Sequence, residues 1–172
     1  MIHRRDFFNS LAAASCGGLV TACETSPQVP SGLKRLDRIG IGLFTIPHRL
    51  QEDFAASMKR LADIGYKEVE FFGPYSFSAP EAQEAWKPIA EALGFSQSGY
   101  FGLTPPEARS VLDDNGLSSP SMHIDMETLR SNLGPASEAA YALGHRYAGI
   151  PSIPAHERKT LDDYKRVADE FN

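Results

Sequence analysis

From Asp37 onward the chain alternates short apolar runs with longer amphipathic stretches, and no hairpin signal lies between them. That alternation is the strongest constraint on the fold. Strands separated by helices pair in parallel, each helix serving as a crossover. The run Ile39-Gly40-Ile41-Gly42-Leu43-Phe44 predicts a buried first strand, ended by Pro47. Apolar residues at Phe54, Met58, Leu61, Ala62 and Ile64 have helical spacing, and Gly65 closes that helix. Glu68 to Phe72 predicts the second strand, and Leu117 to His123 the third, after a helix from about Pro105 to Asn115. Thr128 to Leu143 predicts one further crossover helix closed by Gly144, Tyr147 to Ile150 the fourth strand, and Thr160 to Asn172 the last helix. Thr160 caps that helix, and Asp162 and Asp163 stand in its first turn.

One stretch breaks the rhythm. Gly73 to Tyr100 contains an extra helix, predicted over about 80–93, between the second strand and its own crossover helix. In a barrel of parallel strands an insertion there falls where active-site loops sit. The last residues, Val167 to Asn172, are still periodic and carry no Gly, Pro or basic last turn, so a helix is expected to run on. A complete (β/α)8 barrel takes about 250 residues. The expectation is therefore an α/β fold, the N-terminal half of a parallel (β/α)8 TIM barrel with about four βα units. The alternative is a complete small flavodoxin-like domain. A half barrel leaves its first and fourth strands with free edges and is expected to expose a large apolar inner face. Such a chain would be marginally stable or would pair as a homo-oligomer.

The first 36 residues read differently. Arg4 and Arg5 precede Phe7-Phe8 and a mildly apolar run from Leu11 to Ala22. A positive start before a short apolar stretch is the pattern of an export signal, and it is too short to span a bilayer. The Arg pair with the Phe pair resembles a twin-arginine signal. Val20-Thr21-Ala22-Cys23 resembles a lipobox, which would make Cys23 a lipidation site and the periplasm or envelope the destination. The segment 24–36 is rich in Pro, Ser and Thr and reads as a linker.

Composition then excludes some classes. Both cysteines, Cys16 and Cys23, fall in the first segment, so the globular part has neither a disulfide nor a thiolate metal site. A net charge of -5 opposes a nucleic-acid partner and, apart from the lipid anchor, a membrane surface. There is no phosphate-binding Gly-rich loop, no G-x-S-x-G and no Cys-x-x-Cys.

Several segments together resemble the sugar-phosphate isomerase/epimerase family of the xylose-isomerase-like barrels. They are Gly65-Tyr66-Lys67-Glu68-Val69-Glu70-Phe71-Phe72, Leu112 to His123, Ala142-Leu143-Gly144 with Tyr147 to Pro151, and Thr160 to Lys165. The resemblance covers about Asp37 to Asn172. It implies a divalent metal (Mn, Mg or Co) that polarises neighbouring oxygens while carboxylates move a proton between adjacent carbons. It also implies that the metal ligands lie mostly in the second half of the barrel, beyond this chain. Within the chain it makes Glu70 and His123 substrate-binding candidates at strand ends, with His48 in a loop after the first strand; His123 is also a candidate metal ligand. The residue-level alternatives are an exposed carboxylate for Glu70, a hydrogen-bonded structural histidine for His123 and a solvated loop histidine for His48. His145 and His156 read as surface. Phe71, Phe72, Tyr75, Phe77 and Trp86 either cap a sugar ring or form a small satellite core. Two functions stay open: an exported sugar isomerase or epimerase, and a non-catalytic envelope carbohydrate-binding protein on the same scaffold.

Overall fold

The structure, a computed structural model, describes residues 36–171. The export-signal and lipidation residues Arg4, Arg5 and Cys23 lie outside the described residues, as does nearly all of the linker. Four strands form one sheet in the order β1-β2-β3-β4, every neighbouring pair parallel. They are β1 Gly40–Gly42, β2 Glu68–Phe72, β3 Ser118–His123 and β4 Tyr147–Gly149. Helices α1 Pro47–Glu52 and α2 Phe54–Ile64 connect β1 to β2, and α3 Pro80–Leu93 and α4 Pro105–Asp114 connect β2 to β3. Helices α5 Met126–Ser131 and α6 Leu133–Leu143 connect β3 to β4, and α7 Leu161–Phe171 follows. The inserted helix stands where the sequence places it. Among the described residues no helix is long and apolar enough to cross a membrane.

The caps explain the boundaries. Asp53 opens α2 by accepting the Ala56 N–H at 2.9 Å. Thr104 and Glu107 form a reciprocal capping box on α4. Gly65 and Gly144 close α2 and α6 with φ of 115° and 82°, a region other residues enter at a cost.

Three expectations change. The first strand is shorter than its apolar run, because Leu43–Thr45 turns into a 3-10 helix in which the Thr45 hydroxyl donates to the Gly42 carbonyl at 2.8 Å. Pro47 does not merely end that strand; it opens α1 at the first helical position, where its missing N–H costs nothing. The helix expected over Thr128 to Leu143 is two helices. Asn132 leaves helical geometry at φ -130° and ψ 35°, and its side chain donates to the Phe77 carbonyl at 3.0 Å. Pro135, three residues on, has no N–H to continue the first helix but fits the first turn of the second.

The core lies on one side of the sheet. Val69, Phe71 and Met122 point into it and meet Met58, Leu61, Leu112 and Leu143 from the helices. The other face is more polar along β2 and β3 than an unbroken apolar patch. It carries Glu68, Glu70, Ser118, Ser121 and His123, none of them fully buried. The Arg38 guanidinium donates to Glu68 and to the Ser118 hydroxyl, both at 2.8 Å. The open face thus carries charge and hydroxyls along β2 and β3, with Phe72 beside His123 as its apolar part.

Candidate functional site

Parallel βα folds gather function at the C-terminal ends of their strands. At that end of β2 and β3 three side chains converge. The Ser121 hydroxyl donates to Glu70 Oε1 at 2.7 Å. His123 Nε2 lies 3.1 Å from Glu70 Oε2, and both side chains stay about one third exposed, at 39% and 34%. Each carboxylate oxygen thus has one protein partner and keeps lone-pair capacity for another donor. Gly149 on β4 stands beside the imidazole: a Cβ there would lie 3.6 Å from His123 Cδ2, an ordinary van der Waals contact.

Next to this cluster lies a cavity of about 540 Å³, which His123 lines while Glu70 and Ser121 stand behind it. Phe44, Phe72 and Trp86 form its aromatic wall, His123 and Asp125 its polar base, and Ser152 stands at its rim after β4. Helix α3 supplies one side through Ala82, Ala85, Trp86 and Ile89. The aromatic rings hold one another: Phe44 meets Phe72 edge-on at 5.2 Å, and Trp86 stands 6.2 Å from Phe72. Phe71 and Tyr75 instead belong to the main core, and Phe77 packs against it. Phe72 and Trp86 thus line the cavity, and the group as a whole is continuous with the main core rather than a separate satellite.

Asp125 is less available than its position implies. Its carboxylate caps α5, accepting the Thr128 N–H at 2.8 Å and the Thr128 hydroxyl at 2.6 Å. The same hydroxyl accepts the Ala79 N–H at 2.8 Å, fastening the start of α3 to α5. The cavity wall is thus anchored by two fully buried residues, Thr128 and Ala79.

The structure brings Glu70 and His123 together and places His48 elsewhere. His48 lies on α1 rather than in a loop, edge-on to Phe95 at 5.7 Å and beside Gly94. It is not among the residues lining the cavity. His156 is exposed beside Glu157. His145, read as surface, is buried at 9% exposure, because the turn from α6 to β4 folds under the sheet between Tyr100 and Phe71. Burial lowers its pKa, and it pushes the phenols of Tyr75 and Tyr100 up. Sequence reasoning missed Ser121 and Phe44 as parts of this site. Ser121 had no signal, because its face depends on an irregularity in β3; Phe44 was assigned to a buried strand.

The architecture matches solved structures. A sugar phosphate isomerase/epimerase from Parabacteroides distasonis ATCC 8503 superposes with a TM-score of 0.57 at 20% identity, over 84% of this chain and 48% of that one. The chain has the fold of half a TIM barrel. A second sugar phosphate isomerase/epimerase from the same organism superposes with a TM-score of 0.51 at 18% identity, over 80% of this chain and 48% of that one. The half barrel therefore spans about half the length of the structures it matches, and at such identity the likeness speaks for the fold. No protein-family model matches the chain, and no curated protein does.

A divalent metal can be tested against the donors at hand. Glu70 and His123 offer an oxygen and a nitrogen of suitable type. Their nearest atoms already meet each other, and among the described residues no three His, Cys, Asp or Glu side chains are placed to hold a metal ion. Hard divalent cations need about six ligands, so the described residues do not by themselves form such a site.

Proposed function

We propose that this half barrel binds a sugar or sugar derivative in the cavity lined by His123, next to Glu70 and Ser121, as part of an exported isomerase or epimerase. The observation that carries the reading is the pairing of an aromatic wall with a carboxylate–imidazole–hydroxyl cluster at the strand ends. A sugar has apolar C–H faces and hydroxyl edges, and such a site offers a partner to each. A cavity of about 540 Å³ suits a small molecule of that kind.

Glu70 accepts hydrogen bonds from substrate hydroxyls, His123 presents its imidazole to the cavity, and Ser121 fixes the carboxylate. The isomerase reading adds a proton transfer next to a carbonyl, with metal ligands contributed by residues beyond those described. The same cavity, with its aromatic wall and polar residues, supports a second reading, a carbohydrate-binding protein without catalysis. The Arg4-Arg5 pair supports export by the twin-arginine route, and Cys23 supports a lipid anchor.

Trp86 is the only tryptophan in the chain and lines the cavity, so its fluorescence reports occupancy directly. Aldoses, ketoses and their phosphates titrated into the protein should shift Trp86 emission for at least one member of the panel. Glu70→Gln should weaken that response by about tenfold, the loss of one charge-assisted hydrogen bond of roughly 1.5 kcal/mol. Turnover of the bound sugar, with and without added Mn²⁺, separates the enzyme from the binder. A panel that leaves Trp86 emission unchanged refutes the sugar site.

A further inference from the structure

The geometry of the cluster is set by an irregularity in β3. From Glu68 to Glu70 the second strand advances two residues, while its partner advances three, from Ser118 to Ser121. The additional residue falls at Ser119-Pro120, a bulge of a kind uncommon between parallel strands. Side chains alternate faces along a strand, so the register decides which residues look into the site. A regular ladder starting from Glu68 opposite Ser118 would set Pro120 opposite Glu70 and Met122 opposite Phe72. His123 would then point among the helices. With the bulge, Ser121 and His123 reach Glu70, and Met122 enters the core at 1% exposure.

Besides a 3.2 Å contact of the Ser119 hydroxyl with the Ser121 carbonyl inside the bulge, three hydrogen bonds tie it to its neighbours. The buried Ser119 hydroxyl donates to the Val69 carbonyl at 2.9 Å. The Arg146 N–H donates to the Pro120 carbonyl at 2.8 Å. His145 Nδ1 lies 2.8 Å from the Ser119 carbonyl oxygen. A carbonyl can only accept, so Nδ1 carries the proton, and the neutral ring has a bare Nε2. That Nε2 is buried with no protein partner, which leaves the bond to Ser119 as the ring's one polar anchor among the described residues. Stacking on Tyr100 at 6.4 Å and an edge contact with Phe71 at 5.9 Å fix the plane of the ring.

We propose that His145 is a positioning residue: its Nδ1–H bond to the Ser119 carbonyl, with the Ser119 hydroxyl, holds the β3 bulge and so turns Ser121 and His123 toward Glu70. The importance of the device rests on reading those three residues as the site, but its geometry can be tested without any ligand. His145→Phe keeps an aromatic ring between Tyr100 and Phe71 and removes the donor. His145→Asn places an amide N–H near the position of Nδ1. In the labelled protein, proton–proton contacts between His123 Hδ2 and the Gly149 Hα, and between Ser121 and Glu70 side chains, read the orientation of β3. Long-range proton–nitrogen spectra read the tautomer of His145. The wild type should show a proton on Nδ1 and both cross-strand contacts. His145→Phe should lose more than half the intensity of both contacts, and His145→Asn should restore them.

Full-intensity contacts in His145→Phe, or a wild-type proton on Nε2, would overturn the proposal. Should His145→Phe not fold, Ser119→Ala removes the other staple and is read by the same contacts: their loss supports the device, and their persistence overturns it. Sugars that fail to bind the wild type would sink the functional reading alone, leaving these contacts as an independent measure of positioning.

Discussion

Thr128→Val is the sharpest probe of how the cavity wall is held. Valine matches threonine in shape, so the packing of this fully buried side chain is retained and only its hydroxyl is lost. Two bonds go with it. One is the 2.6 Å donation to the Asp125 carboxylate, and the other is the 2.8 Å acceptance from the Ala79 N–H. A hydrogen bond to a charged group contributes about 1.5–3 kcal/mol, and an orphaned buried donor costs about 1–3 kcal/mol. Asp125 keeps its bond from the Thr128 N–H and can turn toward the cavity for water, which trims the first loss. The expected destabilisation is about 2–4 kcal/mol, a large part of the roughly 5–15 kcal/mol that a domain has. Urea unfolding followed by circular dichroism should show a lower midpoint with an unchanged slope. Ser131→Ala is the control: its hydroxyl donates to the Glu127 carbonyl on an exposed face, and its removal should stay within about 0.5 kcal/mol. Because Ala79 precedes α3, sugar-induced changes in Trp86 emission should weaken together with stability. A Thr128→Val protein as stable as the control would refute this account of the anchor.

Four further outcomes follow from the sequence and the structure. Burial lowers the pKa of His145 below that of a free imidazole, so the unfolded chain takes up a proton first. Its contribution is complete above the unfolded value of about 6.5 and declines as pH falls below it; Tm measured against pH should fall there in the wild type and less in His145→Phe. Glu157 has its pKa held down to about 2, chiefly by the Arg130 guanidinium with help from Arg166. The stability it provides is present above the usual Glu value and lost as pH falls toward 2, so Glu157→Gln should flatten the acid limb of the same Tm profile. Replacing both Arg4 and Arg5 with Lys should leave precursor in the cytoplasm on cell fractionation, and unchanged envelope localisation would count against twin-arginine export. Cys23→Ser should abolish fatty-acid labelling and membrane recovery; a wild-type protein that is already unlabelled would exclude the anchor.

Much of this fold is written locally. The order of strands and helices, the inserted helix over Pro80–Leu93 and the glycine stops after α2 and α6 follow from apolar period, capping residues and backbone freedom, each confined to a few neighbouring positions. Glu70 and His123 were singled out by the family resemblance, which places them toward the ends of parallel strands, where such a sheet presents its working face. Their contact was not. It depends on one additional residue in β3, on Ser121 being turned by that bulge, and on a histidine 22 positions beyond His123 that folds back to hold Ser119. Local pattern assigned His145 to the surface because helix-to-strand turns are commonly exposed, and nothing nearby in sequence announces Tyr100 and Phe71 as its walls. The polarity of the open face, the break at Asn132 and the clasp between Thr128 and Ala79 have the same origin. The first depends on strand register, and the other two are hydrogen bonds between groups far apart in the chain, which only tertiary packing brings within reach.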